Sequence, residues 1–511
     1  MLAAVLFAAV AVTTGAASSA TDTRIIQHVL NRVAFGPQPG DVERVRRMGV
    51  TAYIDQQLHP ERLRDAGVEQ RLTTFETLTL DSRTIAERYE IPALRARLAQ
   101  QRAEGVDASA DAPASQAQKL ARRPEQQRAN LPLVELSQQK MLRAIYSERQ
   151  LEEVLTDFWF NHFNVDARKG PSRFMLTEYE RDVIRPHVLG RFRDLLEATA
   201  KSPAMLFYLD NWMSATPEGA SVNQAQSLRR RASTSASPGR RAGLNENYGR
   251  ELLELHTLGV DGGYTQKDVT EVARAFTGWT INRPRAGGSF RFAPALHDDG
   301  EKVVLGHRIR AGGGQRDGEE VLDILASHPS TARFISRALA RRFVSDHPPE
   351  SLIDRMAATF SRTDGDLRAV MQVLLTSREF LGTDAMDAKV KTPFEFVVSA
   401  VRATGAEVSD ARALVRSVQQ LGMPLYQCQP PTGYADAASA WMNTGALVSR
   451  MNAALALASG RLPGVTLPDI PDAPALVATN LTEPTRATIA RAQAPAQAIA
   501  LALGSPEFQR R

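Results

Sequence analysis

The chain has 511 residues, 43% hydrophobic and 23% charged, with 62 Lys and Arg against 57 Asp and Glu for a net charge of +5. That length calls for one large elaborated domain or two smaller ones, and the composition excludes both a disordered chain and a polytopic membrane protein. Cys428 is the only cysteine, which excludes an intramolecular disulfide and Cys-rich zinc or iron-sulfur sites.

Residues 1–20 carry no charge and combine an apolar run from Leu2 to Val12 with the small residues Ser18-Ser19-Ala20. Although a basic n-region is missing, this is the pattern of a signal peptide, too short to span a bilayer stably. It predicts a periplasmic or secreted protein with no transmembrane anchor after cleavage. Beyond it the expected class is mainly α: one large multi-helix domain over residues 21–460, with a Pro-rich linker and C-terminal helix over 461–511 packing on it. Apolar residues recur at helical spacing over 136–164, 177–200, 319–344 and 352–381. The one clear strand signal is a small hairpin, 289–292 with 302–309, flanking Asp298-Asp299-Gly300. Residues 101–130 and 214–243 lack aromatic side chains and read as two disordered insertions. The first holds five basic and four acidic residues and the second five Arg and one Glu, so the rest of the chain carries 52 of each sign. The +5 therefore belongs to the insertions, which argues against a nucleic-acid partner. Of the 62 basic residues 54 are Arg and 8 Lys, an excess we read as compositional bias.

Polar residues concentrate in three clusters. Asp157 to Asn164 surrounds Asn161 and His162 with aromatic bulk, and Trp159 stands at i, i+3 from His162, close enough to share a pocket wall. Asn245 to Gly259 is the densest cluster: Asn245 is a helix N-cap, and Glu246, Arg250 and Glu254 form an i, i+4, i+8 row beside Glu251 and His256. A Gly-rich stop and a capping-box-like Thr265-Gln266-Lys267-Asp268 turn this segment into a helical hairpin running to Trp279. Its Asp261-Gly262-Gly263 loop lacks the ligand spacing of an EF-hand. The third cluster is His297-Asp298 at the predicted turn. No compact metal signature, nucleophile elbow or phosphate-binding loop connects the clusters.

These residue types suit two readings. In the first, the protein is a hydrolase acting on an extracytoplasmic polymer such as carbohydrate, with Glu251 or Glu254 as general base and His162 or His297 as its partner. Arg250 would orient a carboxylate, while Trp159, Asn161, Asn245, Trp279, Tyr434 and Trp441 would bind substrate. A variant places a divalent metal on His256 and Asp298 together with His162 and His297. In the second, the clusters hold helices together in a non-catalytic envelope or secretion component that binds a partner protein.

The sequence also resembles a known family. His28 to Gly36, Trp159 to Phe163, Asn245 to Gly259, Gly263-Tyr264-Thr265, Thr277-Gly278-Trp279, His297-Asp298, Lys391 to Phe396, Pro430 to Tyr434, Trp441 and Arg450 are similar, in order, to the bacterial Domain of Unknown Function 1800 family. The resemblance implies a largely helical, exported protein, often encoded beside an exported protein of the Domain of Unknown Function 1501 family. It implies no reaction.

Overall fold

A computed structural model describes residues 22–103, 123–216, 243–468 and 481–511. The expected signal peptide and most of both expected insertions lie outside the described residues. The inner ends of the first insertion do not: residues 101–103 and 123–130 are helical. The fold is mainly α, as expected, with three two-stranded ribbons. The main apolar core runs from Ile26 to Phe508 and encloses Trp159, Phe163, Phe192, Phe276, Trp279 and Phe343, and a small second cluster gathers Leu481, Ile489 and Ala502. No described helix is long and apolar enough to cross a membrane.

Every long helix expected from periodicity is divided, each time where side chains or backbone strain compete with helical hydrogen bonds. Residues 136–164 become the helices Arg123–Tyr146 and Gln150–His162. Between them, Asp65 accepts from the Ser147 hydroxyl (2.7 Å) and the Glu148 amide (2.9 Å), while the Gln150 amide group donates to the carbonyls of Ala144 and Ser147. Residues 177–200 pass through a π-turn at Tyr179–Ile184 and a 3-10 turn holding Pro186 before the helix Phe192–Lys201. Pro329 starts a new helix after Gln315–Ser327. Asp364 and Gly365, both at positive φ, separate Glu350–Arg362 from Leu367–Leu375. The C-terminal segment is also two helices, Glu483–Ala490 and Pro495–Gly504, and the second packs along Thr444–Ala458.

The predicted hairpin needs correction. Strand β1 (Trp279–Ile281) pairs antiparallel with β2 (Phe290–Phe292), and β3 (Lys302–Val304) pairs with β4 (His307–Ile309). The tight turn is Leu305-Gly306, both at positive φ, the backbone a two-residue hairpin loop demands. Asp298 does not turn a hairpin because β2 is already paired with β1; its carboxylate instead takes Arg274 and the Gly300 amide. His297-Asp298 thus lies in the connection between two ribbons.

Segments distant in sequence meet around Glu395. Thr392-Pro393-Phe394-Glu395 opens the helix Pro393–Thr404 with a capping box: the Thr392 amide donates to Glu395 Oε2 (2.8 Å), and the Glu395 amide donates to Thr392 Oγ1 (3.3 Å). The other carboxylate oxygen takes Arg342 and, at 3.0 Å, Arg511. Arg511 also donates to the Arg342 carbonyl and pairs backbone to backbone with Lys389. Nearby, Arg450 ties Gln509 to the Lys391 carbonyl, and Arg32, from the helix over residues 22–33, donates to the carbonyls of Val344 and Ala385. Burial alone would raise the Glu395 pKa, but Arg342 and Arg511 outweigh it and hold the carboxyl down to about 2.

Breaking a buried, hydrogen-bonded ion pair from one side leaves the partner cations uncompensated, so Glu395→Ala should cost about 3–5 kcal/mol in urea unfolding at pH 7. A carboxyl whose pKa falls on folding stabilises fully above its ordinary value of 4.5 and loses that contribution as pH drops toward about 2. The gap between wild type and variant should narrow over that window, and equal unfolding midpoints at pH 7 would contradict the hub.

Candidate functional site

The predicted helical hairpin is present. Asn245 caps it, accepting from the Tyr248 amide (3.2 Å) and donating to the Leu209 carbonyl (2.8 Å), so its amide is fully engaged in structure. The helix Glu246–Glu251 then widens into a π-turn, Leu252–Thr257, whose last residue bonds its hydroxyl to the Leu252 carbonyl. The return helix, Gln266–Ala275, begins at the expected capping box of Thr265 and Asp268. Gly249 allows the two helices to touch, since a Cβ there would press on the Val269 carbonyl oxygen. Arg250 forms no ion pair among the described residues. It donates to Gln266 (2.6 Å), and Gln266 donates in turn to Glu246 (3.0 Å), so the expected charge row is bridged across the hairpin. Glu254 accepts from the Tyr264 hydroxyl (3.2 Å). Half-buried Glu251 has its pKa raised, first by burial and then by Glu254, with Arg250 opposing.

His162 and His256 do meet. The π-turn brings the His256 ring to 6.3 Å from that of His162, and His162 Nε2 donates to the His256 carbonyl (3.1 Å). Phe158, Trp159, Phe163 and Phe334 surround the pair. Burial lowers the pKa of His162 to about 4, and burial followed by the nearby His162 lowers that of His256 to about 3. Trp159 is wholly buried and donates to the Val188 carbonyl, so it presents no face to a ligand.

The residues after His162 clamp a loop. Asn161 donates to the Tyr434 carbonyl (2.9 Å) and accepts from the Tyr434 amide (2.7 Å), while Asn164 donates to the carbonyls of Cys428 and Pro430. The Tyr208 hydroxyl donates to the Gln429 carbonyl and the Tyr434 hydroxyl to that of Pro424. Gly433, at φ 70, lies where a Cβ would collide with the Asn161 carbonyl. Trp441 packs beside Tyr434 and donates to the Ala435 carbonyl. Asn161 and Tyr434 are thus joined, as grouped from sequence, but through backbone bonds that fix the loop.

His297 belongs to a different network. It is buried with Nδ1 2.8 Å from the Thr277 carbonyl and Nε2 3.1 Å from Asp317, which also takes Lys302 at 2.6 Å. Asp298 pairs with Arg274. Trp279 is buried against Gly318, and its indole nitrogen has no hydrogen-bond partner. The proposed metal set is therefore divided, His162 with His256 and His297 with Asp317, while Asp298 is committed to Arg274. Among the described residues no group of three or more His, Cys, Asp and Glu is placed to hold a metal ion.

The part of this region richest in titratable groups was not legible in sequence. Burial, then the charges of Asp166, Cys428 and Glu251, raise the pKa of Tyr208, and Asp166 and Cys428 also act on Tyr434. Asp166 pairs with Arg168, and Lys169 with Asp210, a non-glycine residue at φ 60. Only Glu251 and Tyr434 of this group stood out by spacing. Asp166 and Tyr208 lie in stretches without a motif and are joined only by folding.

A family model described as "Protein of unknown function (DUF1800)" matches residues 28–510. None of the curated proteins and none of the solved structures compared with the chain gives a match.

Two outcomes follow from this geometry. Groups whose pKa falls on folding from 6.5 to about 4 and about 3 stay neutral in the fold, so His162 and His256 contribute stability that is complete above pH 6.5 and declines as pH drops. Their imidazole resonances should not titrate between neutrality and pH 5.5, and a midpoint near the ordinary 6.5 would contradict the buried pair. Asn161→Ala removes both bonds to Tyr434 and should cost about 1–3 kcal/mol. Hydrogen exchange should show the loss of protection centred on residues 424–434, and exchange unchanged there would refute the clamp.

Proposed function

We propose that this chain, which belongs to the DUF1800 family, is an exported helical protein that works by binding, as a non-catalytic component of an envelope or secretion assembly. What supports this reading is the commitment of its polar residues. Asn161, His162, Asn245, His297 and Asp298 each have a hydrogen-bonding group committed to a carbonyl, amide or ion pair inside the fold. The histidines also fall in two separate networks, whereas an acid/base or metal centre needs its groups converging on one reacting atom. The apolar leader argues for export, and an exported protein of the Domain of Unknown Function 1501 family, often encoded beside members of this family, is the partner the family resemblance points to.

One observation favours the hydrolase reading. Glu251 combines a raised pKa with partial exposure and a second carboxylate, Glu254, one turn away. A carboxyl that holds its proton more tightly beside a second carboxylate is the arrangement from which a general acid is made. On that reading Glu251 serves as the acid or base, and Tyr434 and Trp441 as the ring surfaces flanking a sugar.

Glu251→Gln separates the two. With a Domain of Unknown Function 1501 protein co-expressed, the binding reading expects the variant to co-purify with it as wild type does and expects neither form to cleave a panel of envelope polysaccharides. Cleavage by wild type, reduced about a hundredfold or more in the variant at unchanged melting temperature, would establish the hydrolase and overturn the first reading.

A further inference from the structure

One cavity is lined by none of the histidines and not by Glu251. It is an open cleft of about 930 Å³ between three helices. Arg123–Tyr146 presents Asn130, Leu133, Val134, Ser137 and Gln138, the stripe one helix face offers at three- and four-residue spacing. Ile91–Ala103 adds Ile91 and Leu94, and Arg412–Gln420 adds Arg412, Val415, Arg416 and Gln419. Phe174 and Phe207 close the inner end. Two of the apolar lining residues are exposed, Leu94 at 48% and Val134 at 37%, on surface that water would ordinarily leave to polar side chains.

The charge around this apolar cleft is one-sided. Five arginines line it, Arg168, Arg173, Arg285, Arg412 and Arg416, against the single carboxylate of Glu90. Three of them are engaged: Arg173 with Glu90, Arg168 with Asp166 and Arg412 with Asp410. Arg285 and Arg416 have no ion pair among the described residues, and both are exposed at the cleft. A guanidinium presents a planar fork that fits a carboxylate through two parallel bonds. An apolar floor with two exposed guanidinium groups that form no ion pair among the described residues is complementary to a ligand with an apolar body and one anionic end.

We propose that this cleft binds an amphipathic anion, a single-chain acyl carboxylate whose chain lies along Leu94, Leu133, Val134 and Phe174 while its head meets Arg285 and Arg416. The volume suits this class, since sites for small organic ligands fall in the range of about 300–1,000 Å³. The inference stands on the cleft alone and does not depend on whether Glu251 is catalytic.

The test titrates the full chain, stripped of co-purified lipid, with dansyl-labelled undecanoic acid below its micellar concentration. Saturable fluorescence enhancement at one site per chain, reversed by palmitate, is expected. Methyl palmitate, which keeps the chain and loses the charge, should compete at least about tenfold less well. The double substitution Arg285→Glu/Arg416→Glu should weaken palmitate by about tenfold or more, with melting temperature unchanged because both side chains are exposed. Absence of saturable binding, equal competition by acid and ester, or wild-type affinity in the double variant would each overturn the assignment. Binding of phosphatidylglycerol vesicles that palmitate does not displace would also overturn it, making the cleft a membrane-facing surface. The acid and ester comparison uses wild-type protein, so it decides the matter even if the variant misfolds.

Discussion

The buried carboxylate of Glu395 is the constraint on which the architecture turns. Its two oxygens do different work: one completes the capping box of its own helix, and the other receives guanidinium groups from Arg342 and Arg511. The chain's last residue, the end of the helix Pro329–Phe343 and the start of Pro393–Thr404 are thereby held at one point. Arg32 adds the first described helix through the carbonyls of Val344 and Ala385. Burying a carboxylate is tolerated where cations and donors meet it, and here those cations come from distant stretches of the chain. Arg32 and Ala385, more than 300 residues apart in sequence, are tied together within the same core.

Arginine is the residue through which this principle is repeated. Arg402 donates to the carbonyls of Gly36 and Ile145, Arg181 to those of Leu78 and Leu80, and Arg149 doubly to that of Leu63. Ile145 lies in the last turn of its helix and Leu63 caps a 3-10 turn, where acceptors lack intrahelical donors. A guanidinium can serve two of them at once and remains charged, whereas a lysine offers one compact charge on a flexible stem. The 54 to 8 preference for Arg, which composition alone presented as bias, thus has a structural use in a fold made of many short helices.

Local chemistry was legible in the sequence, and long-range geometry was not. Asn245 as a cap, Thr265 and Asp268 as a capping box and the helical hairpin they frame could be read from neighbouring residues, because a cap needs only its own next three amides. The helix lengths could not. Asp65, far away in sequence, is what opens the chain at Ser147, and no periodicity in residues 136–164 announces it. The ribbons illustrate the same limit: Asp298-Asp299-Gly300 has the composition of a turn, yet β2 pairs back with β1, and the hairpin turn after β3 is Leu305-Gly306.

The polar clusters show why residue type is a poor guide to chemistry in a large helical protein. A histidine, an asparagine or a tryptophan embedded in apolar sequence must find partners when it is buried, and those partners are most often backbone groups. His162 and Asn161 sit side by side at the end of one helix, and their bonds run in different directions, to the π-turn at His256 and to the loop at Tyr434. Spacing that looks like a shared pocket wall is here a hinge pin between two neighbouring segments. The open cleft with exposed cations lies instead among Arg285, Arg416 and a stripe of leucine, valine and phenylalanine, residues that carry no motif. Such a site is visible only once three helices are laid together, because what defines it is the juxtaposition of exposed charge with exposed apolar surface.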